Sequence, residues 1–240
     1  MSTSLLDLTV VLMLYNEQAT LKEVTAELSA VLDSLGRPWE LLIVDDGSTD
    51  GSANMADDLA KSDSRIRVIH HQTNGGLGAV YRTGFNSGRG CHVTFFPADG
   101  QFPAHILQIF RPAMDDTDLV LGYLPVRPGA WMSRTLSATE RLMYHALLGP
   151  MPRFQGIMMF RRELLNQLTL RSDGRGWAIV MEFILRACRK PCRVISLPTV
   201  VRPRTAGRSK VNNVRTVTAN LLQIVQLRRL LKADRATASG

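Results

Sequence analysis

The chain has 240 residues, of which 45% are hydrophobic and 21% charged, a composition typical of a globular protein with one large domain or two small ones. The formal net charge of +8 favours anionic partners: nucleic acid, anionic lipid or a phosphorylated substrate. Three widely spread cysteines argue against a disulfide framework or a zinc site, so a reducing cytoplasm is the expected compartment. No apolar run reaches about 18 residues and the first four residues lack the features of a secretory signal, so we expect neither a transmembrane helix nor a leader.

Apolar runs and helical patterns alternate through the first half of the chain. The predicted strands are 8–14, 39–44, 66–70, 92–96 and 119–123, and the helices between them are 20–35, 52–62, 78–87 and 104–114. This alternation predicts a parallel sheet with helices on both of its faces.

The second half of the chain is less regular, and the C-terminal third of the chain carries most of the excess positive charge. The predicted elements there are a helix at 133–148, a strand at 154–160, helices at 162–168 and 177–188, a strand at 192–197 and a last helix at 213–232. The last helix is amphipathic, with Arg228, Arg229 and Lys232 on its polar side. Its apolar side could either pack on the core or lie on a membrane surface.

Two adjacent carboxylates, Asp45 and Asp46, follow the second predicted strand. An unbroken apolar run that ends in turn residues is typical of a strand buried on both faces, and ligands bind at the carboxyl ends of such strands in an open α/β sheet. Asp99 follows the fourth strand at the same predicted edge. We therefore predict an active site at this edge; the alternative for Asp45 and Asp46 is a role in the turn or in capping the next helix.

Carboxylates at a shared edge suit a hard cation such as Mg²⁺ or Mn²⁺, which in turn holds phosphate oxygens. Gln101, two residues after Asp99, could add an amide oxygen to such a site. Alternatively, Gln101 and Pro103 only begin the following helix.

Two further segments have the composition of phosphate-binding sites. In the turn at 74–78, backbone N–H groups at a helix start can bind phosphate, although the glycine spacing matches neither the dinucleotide fingerprint nor the Walker loop. The basic segment 202–210, which contains Arg204, Ser209 and Lys210, is suited to close over a diphosphate. The alternatives are a solvated basic loop and a nucleic-acid patch, but the segment has no aromatic residue for base stacking.

Taken together, these motifs resemble the family 2 inverting glycosyltransferases of the GT-A fold, and among them the polyprenyl-phosphate sugar transferases of the dolichol-phosphate mannose synthase type. The matching residues, in the family's order, are Leu14-Tyr15-Asn16-Glu17, Val44 to Gly51, Asn74 with Gly76-Leu77-Gly78, Arg82-Thr83-Gly84, Ala98 to Gln101, Gly156 with Arg161-Arg162, Glu182, and Arg204 with Gly207, Ser209 and Lys210. The resemblance implies an α/β fold with a mostly parallel, Rossmann-like sheet flanked by helices. It also implies a catalytic domain at 1–212, an amphipathic helix at 213–233 that can associate with a membrane, and a disordered tail at 234–240.

The resemblance further implies roles for individual residues. The implied nucleotide-binding residues are Leu14, Tyr15, Glu17, Asp45, Asp46 and Gly78. Asp99 and Gln101 would hold Mg²⁺ or Mn²⁺, and Arg204, Ser209 and Lys210 would bind phosphates. The implied catalytic set is Asp99, Arg204, Lys210 and Glu182.

The chain departs from the family's pattern at two points. The first acidic position of the family's Asp-x-Asp metal motif is Pro97 here, and a proline side chain has no atom that can bind a metal. The segment 152–155 also lacks the Asp that the family carries shortly before the position of Gly156. Both departures point to altered metal dependence or, as an alternative class, to a non-catalytic subunit that binds a nucleotide sugar.

The activity implied is a metal-dependent, inverting transfer of a hexose from GDP-mannose or a UDP-hexose to a polyprenyl phosphate. The protein would lie peripherally at the cytoplasmic face of the membrane and would have no nucleic-acid partner. A lipid phosphate is already ionised at neutral pH, whereas an alcohol acceptor would need a general base, for which Glu182 is the candidate. The alternative for Glu182 is an ion pair on a helix surface. The alternative activity is transfer to a non-lipid acceptor, such as a polysaccharide or a secondary metabolite.

Overall fold

The fold is built on one seven-stranded sheet. The computed structural model describes residues 6–125, 148–149, 151–203, 223 and 225–231. Its elements are β1 (Leu8–Leu14), α1 (Gln18–Ser34), β2 (Trp39–Asp45), α2 (Ser52–Ser62), β3 (Ile66–His70), α3 (Leu77–Ser87), β4 (His92–Pro97), α4 (Ile106–Ala113), β5 (Leu119–Tyr123), β6 (Met158–Arg161), α5 (Glu163–Asn166), α6 (Ala178–Ala187) and β7 (Val194–Pro198).

The strand order is β3-β2-β1-β4-β6-β5-β7, and every neighbouring pair is parallel except the two that involve β6. The mostly parallel α/β sheet predicted from the sequence is therefore confirmed. The antiparallel direction of β6 was not predicted, because the apolar pattern of a strand carries no information about its direction.

Helices cover both faces of the sheet. The apolar side chains of α1 and α4, together with Ala56 of α2, pack on one face. Those of α3 and α6 pack on the other face, where six aromatic rings of the described residues are in contact: Tyr81, Phe85, Phe95, Phe160, Trp177 and Phe183. The central strands β1 and β2 are buried along almost their whole length, as the unbroken apolar runs predict.

The described part of the last predicted helix packs against the protein. Residues 225–231 are helical, and Leu227 and Leu231 are buried in a cluster with Leu148 and Leu185. This side of the helix therefore has a partner in the core, which is the first of the two alternatives drawn from the sequence. No helix among the described residues is long and apolar enough to cross a membrane.

Several predicted features fall outside the described residues. These are most of the helix predicted at 133–148, the ends of the helix predicted at 213–232, and the phosphate-binding residues Arg204, Ser209 and Lys210.

Candidate active site

The loops that follow β1 and β2 are joined by hydrogen bonds. The backbone N–H of Asn16 donates to Ser48 Oγ (2.9 Å), and that of Glu17 donates to Ser52 Oγ (3.0 Å). In return, the N–H of Thr49 donates to Asn16 Oδ1 (2.7 Å). Asn16 has a φ of 52°, a left-handed conformation that asparagine adopts more readily than most residues. The predicted nucleotide-binding segment after β1 is therefore fixed against the turn after β2.

Asp46 holds the glycine turn that begins α3. Its Oδ1 accepts the N–H of Gly75 (2.8 Å), its Oδ2 accepts the N–H of Gly76 (2.8 Å), and His71 Nδ1 lies 2.7 Å from Oδ1. The Asp46 side chain is almost fully buried. The carboxylate thus positions a neighbouring loop, and its predicted contact with the nucleoside stays a prediction.

The glycine turn packs tightly under the loop 172–176. The N–H of Gly78 donates to the carbonyl oxygen of Arg175 (2.9 Å), and a Cβ on Gly78 would collide with the carbonyl oxygen of Gly174. Gly76 has a φ of 79°, which few residues other than glycine adopt. The N–H groups of Gly75, Gly76 and Gly78 all have acceptors within the protein, and the phosphate-binding role expected for this turn stays a prediction.

Asp45 is paired with a histidine. Its Oδ2 lies 2.8 Å from His70 Nδ1, its Oδ1 accepts the N–H of Ser48 (3.0 Å), and His70 Nε2 lies 3.1 Å from Asp57 of α2. The hydrogen bond from Asp45 raises the pKa of His70 against the opposing effect of partial burial, and Asp57 adds to the increase. The imidazolium form of His70 can donate to both carboxylates, so it links α2 to the end of β2.

Asp99 lies at the same edge of the sheet as Asp45 and Asp46. The register pairs Leu14 with Asp45 across β1 and β2, and Met13 with Pro97 across β1 and β4, so the residues after Pro97 emerge beside those after Leu14. Asp99 is buried, and its Oδ1 accepts the N–H of Gln101 (3.1 Å). Gly100 between them has a φ of 72°, which closes the turn.

The ligand atoms on this turn fit a cation that is shared with a substrate. A carboxylate and an amide oxygen two residues apart are hard ligands, as Mg²⁺ and Mn²⁺ prefer. No group of three or more His, Cys, Asp or Glu residues that could hold a metal occurs among the described residues. A cation held by Asp99 and Gln101 would be of the kind that Mg²⁺ forms with one or two protein oxygens plus substrate phosphates, rather than one in a closed structural site, and this site stays a prediction.

Glu182 does not have the environment of a general base. It is completely buried on α6, where its carboxylate accepts the N–H groups of Arg171 and Ser172 (2.7–3.1 Å) and a bond from Arg186 Nε (2.8 Å). These contacts fix the start of the loop 172–176 over the glycine turn. The general-base prediction for Glu182 therefore has no support in this geometry, and the ion-pair alternative is closer, although the pair is buried rather than exposed.

Sequence reasoning missed the side chains of α1 that hold the turn at 98–104. Thr20 Oγ1 donates to the carbonyl oxygen of Ala98 (2.7 Å), and Glu27 Oε1 accepts the N–H of Ala104 (3.0 Å). The available signal was their spacing of seven residues, which places both polar groups on one side of a helix that is otherwise apolar on that side. Sequence reasoning also missed His71, which directly follows β3 and therefore lies at the carboxyl edge of the sheet, beside Asp46.

The chain was compared with known proteins. Residues 9–169 match the family model described as Glycosyl transferase family 2. The chain belongs to this family. Its polyprenyl-phosphate branch is represented by polyprenol monophosphomannose synthase of Mycolicibacterium smegmatis, which is 32% identical over 85% of this chain and 80% of the relative.

Two further comparisons agree with this assignment. Dolichol-phosphate mannosyltransferase of Saccharomyces cerevisiae is 27% identical over 86% of this chain and 82% of its own length. The crystal structure of glucosyl-3-phosphoglycerate synthase from Mycobacterium tuberculosis, in complex with Mn²⁺, UDP and phosphoglyceric acid, superposes with a TM-score of 0.62 at 22% identity, over 91% of this chain and 78% of that one. The predicted GT-A fold is confirmed, and the protein is a glycosyltransferase.

Proposed function

We propose that this glycosyltransferase moves a hexose from a nucleotide sugar to a polyprenyl phosphate with inversion at the sugar carbon. The observation that carries the proposal is its similarity, over most of the chain, to enzymes named as polyprenol monophosphomannose synthase, undecaprenyl-phosphate mannosyltransferase and dolichol-phosphate mannosyltransferase. Mannose is accordingly the first sugar to test, with GDP-mannose as the first donor and UDP-hexoses as the second.

The environment of Glu182 supports a phosphate acceptor. An alcohol must lose a proton as it attacks the sugar, so its transfer needs a general base within hydrogen-bond reach. The candidate drawn from the sequence, Glu182, already accepts hydrogen bonds from three donors inside the protein. A phosphate oxygen is already ionised at neutral pH and can attack without that help.

The donor would lie along the edge formed by the loops after β1, β2 and β4. In this arrangement Leu14, Tyr15, Glu17 and Asp45 lie at the nucleoside end, and Asp46 and Gly78 keep the glycine turn in place beside it. Asp99 and Gln101 would hold Mg²⁺ or Mn²⁺. When bound, this cation would neutralise charge on the departing diphosphate.

Positive side chains of the protein would complete the phosphate site. The segment that carries Arg204, Ser209 and Lys210 follows directly after Arg202, whose backbone N–H donates to the carbonyl oxygen of Gln101 (2.8 Å). Arg202 itself therefore lies beside the proposed metal turn. We propose that Arg204, Ser209 and Lys210, which lie outside the described residues, bind either the leaving diphosphate or the acceptor phosphate.

A lipid acceptor requires access to a membrane surface. We propose that the protein acts peripherally at the cytoplasmic face, with the polar side of the C-terminal helix, which carries Arg228 and Arg229, toward anionic lipid. The division into a catalytic domain at 1–212, a helix at 213–233 and a tail at 234–240 is part of the same proposal.

The proposal is tested first by ligand binding and then by transfer. In a thermal-shift panel of nucleoside diphosphates with Mg²⁺ or Mn²⁺, the true donor nucleotide should raise the melting temperature, because a ligand that binds only the native state stabilises it. Labelled sugar from the matching donor should then appear on undecaprenyl or dolichyl phosphate as an acid-labile lipid. Label only on protein, saccharide or a small alcohol would favour the non-lipid acceptor instead.

A further inference from the structure

One side of α1 follows the turn at 98–104 from its beginning to its end. Thr20 bonds to the carbonyl oxygen of Ala98, the Val24 side chain lies where a Cβ on Gly100 would contact it (3.5 Å), and Glu27 bonds to the N–H of Ala104. Positions 20, 24 and 27 lie on one face of a helix because of its 3.6-residue period. The turn that carries Asp99 and Gln101 is thus attached to α1 at both ends.

Arg202, which is distant in the sequence, contacts both Glu27 of α1 and the turn. Its Nη1 and Nη2 donate to Glu27 Oε2 and Oε1 at 2.8 and 2.9 Å, a two-pronged contact between a guanidinium and a carboxylate. Its backbone N–H donates to the carbonyl oxygen of Gln101. Glu27 therefore binds the turn at Ala104 and, through Arg202, also at Gln101.

This pair differs from an ordinary surface ion pair in its geometry. Both side chains are partly exposed, so the pair by itself contributes little to global stability. A two-pronged contact nevertheless fixes the plane of the guanidinium, and the hydrogen bond from Arg202 holds the pKa of Glu27 below its ordinary value. A fixed carboxylate that also accepts the Ala104 N–H limits the movement of the residues on either side of Asp99.

We propose that Glu27 and Arg202 are positioning residues, which hold the Asp99–Gly100–Gln101 turn in the geometry that binds a divalent cation together with a nucleoside diphosphate. The inference rests on the proposed function, since it assigns the cation to Asp99 and Gln101. Groups that orient metal ligands from outside typically change metal affinity by about 10-fold or more when they are removed.

The chain offers a matched control on the same helix. Asp33 of α1 accepts a hydrogen bond from the indole N–H of Trp39 (3.0 Å) and forms an ion pair with Arg65. Like Glu27, it therefore has one neutral donor and one guanidinium as partners. It lies at the other end of α1 from Thr20. Replacing Asp33 with Asn therefore removes a comparable ion pair without touching the proposed metal turn.

The test measures the dissociation constant of the nucleoside diphosphate by calorimetry, with Mn²⁺ and with EDTA, in the full-length chain. Glu27→Gln keeps an acceptor for Ala104 and loses the ion pair, and Arg202→Ala keeps the backbone bond to Gln101. We expect each variant to bind about 10-fold more weakly in Mn²⁺ and unchanged in EDTA, with Asp33→Asn like the wild type. The electron paramagnetic resonance signal of Mn²⁺ gives a second measure of the cation bound, independent of turnover.

Several outcomes would overturn the proposal. Wild-type affinity for Mn²⁺ and nucleotide in both Glu27→Gln and Arg202→Ala would show that the turn does not need the pair. An equal loss in Asp33→Asn, or an equal loss in EDTA, would show a general effect on folding or on nucleotide binding. If the wild type itself binds the nucleotide equally well with Mn²⁺ and with EDTA, the metal assignment in the proposed function fails, and this inference fails with it.

Discussion

The two edges of the sheet both contain buried or half-buried carboxylates, but the carboxylates have different kinds of partner at each edge. At the amino edge, Asp7 receives two bonds from Arg111 (2.6 and 2.7 Å), and Glu40 receives one from Arg67 (2.8 Å). At the carboxyl edge, Asp45 and Asp46 accept backbone N–H groups and bonds with histidines.

This difference in partners suggests that the carboxylates of the amino edge stabilise the fold and that those of the carboxyl edge serve transfer. Burial alone would raise the pKa of Asp7, but the bonds and charge of Arg111 outweigh it and lower that pKa, as in a closed ion pair. Asp45 and Asp46 instead hold loop backbones and histidines, which keeps the loops of the carboxyl edge in place around the proposed ligand. The amino edge should therefore control unfolding and the carboxyl edge should control transfer.

The largest expected effect, and the strongest test of the difference between the two edges, comes from removing the Asp99 carboxylate. Asp99→Ala should lower kcat/KM for transfer by about 1,000-fold, because the charge of the proposed cation is worth several kcal/mol in the transition state. Steady-state kinetics of sugar transfer to polyprenyl phosphate give this kcat/KM. Asp58→Ala, which removes an exposed carboxylate of α2, is the control and should keep full activity. Near-normal transfer by Asp99→Ala would contradict the metal assignment.

At the amino edge the expected effect is on stability alone. Arg111→Ala removes a buried guanidinium from the half-buried Asp7, which among the described residues keeps only the weaker contacts with Arg37 and His92, and should lower the free energy of unfolding by about 3 kcal/mol. The melting temperature should fall by about 10 °C in a chain of this size. Chemical denaturation gives the first quantity. The kcat/KM of the folded variant, measured well below its melting temperature, should match that of the wild type. A large loss of kcat/KM would contradict the assignment of stability to the amino edge and of transfer to the carboxyl edge.

Asp46→Asn tests whether that carboxylate acts through the glycine turn. An asparagine offers one oxygen in place of two, so one N–H of Gly75 or Gly76 loses its acceptor, at a cost of about 1–3 kcal/mol. We expect the KM for the donor to rise about 10-fold, since the turn lies beside the proposed nucleotide. Asp63→Asn likewise replaces two carboxylate oxygens that accept hydrogen bonds by one, far from the site, and should leave the KM unchanged.

The smallest expected effect concerns pH. The folded-state pKa of His70 is raised above its ordinary value of 6.5, so its contribution to stability is fully present below pH 6.5 and is lost as the pH rises through the folded-state value. Because His70 is more than a third exposed, that contribution should stay below about 1 kcal/mol. Melting temperatures from pH 6 to 9 should fall more steeply in the wild type than in His70→Gln, and parallel curves would contradict the role of His70.

Much of this fold could be predicted from the sequence, because its elements are encoded locally. The apolar run before Asp45 predicts a strand buried on both faces, and the acids that follow the apolar runs of β2 and β4 predict the candidate site at the carboxyl edge of the sheet. The contacts that define the site are long-range in the sequence. Asp46 meets Gly76 across 30 residues and Glu27 meets Arg202 across 175, and no periodicity or spacing predicts such pairs.

Glu182 shows the same limit in a different form. The resemblance implied a catalytic role for Glu182, and the structure buries this residue on α6 with its carboxylate against the start of the loop 172–176. Whether the acid is a base or a support depends on what its carboxylate contacts, and the acceptors of the Arg171 and Ser172 N–H groups are set only by the folded loop.

The most direct test of the account compares two acceptors that differ only in a phosphate. The purified chain, with the labelled donor identified by thermal shift and with Mn²⁺, should transfer sugar to undecaprenyl phosphate and not measurably to undecaprenol. That result follows if the acceptor supplies its own ionised oxygen and Glu182 only supports a loop. Equal or faster transfer to undecaprenol would contradict the central claim, because it would require a general base that the proposed mechanism does not contain.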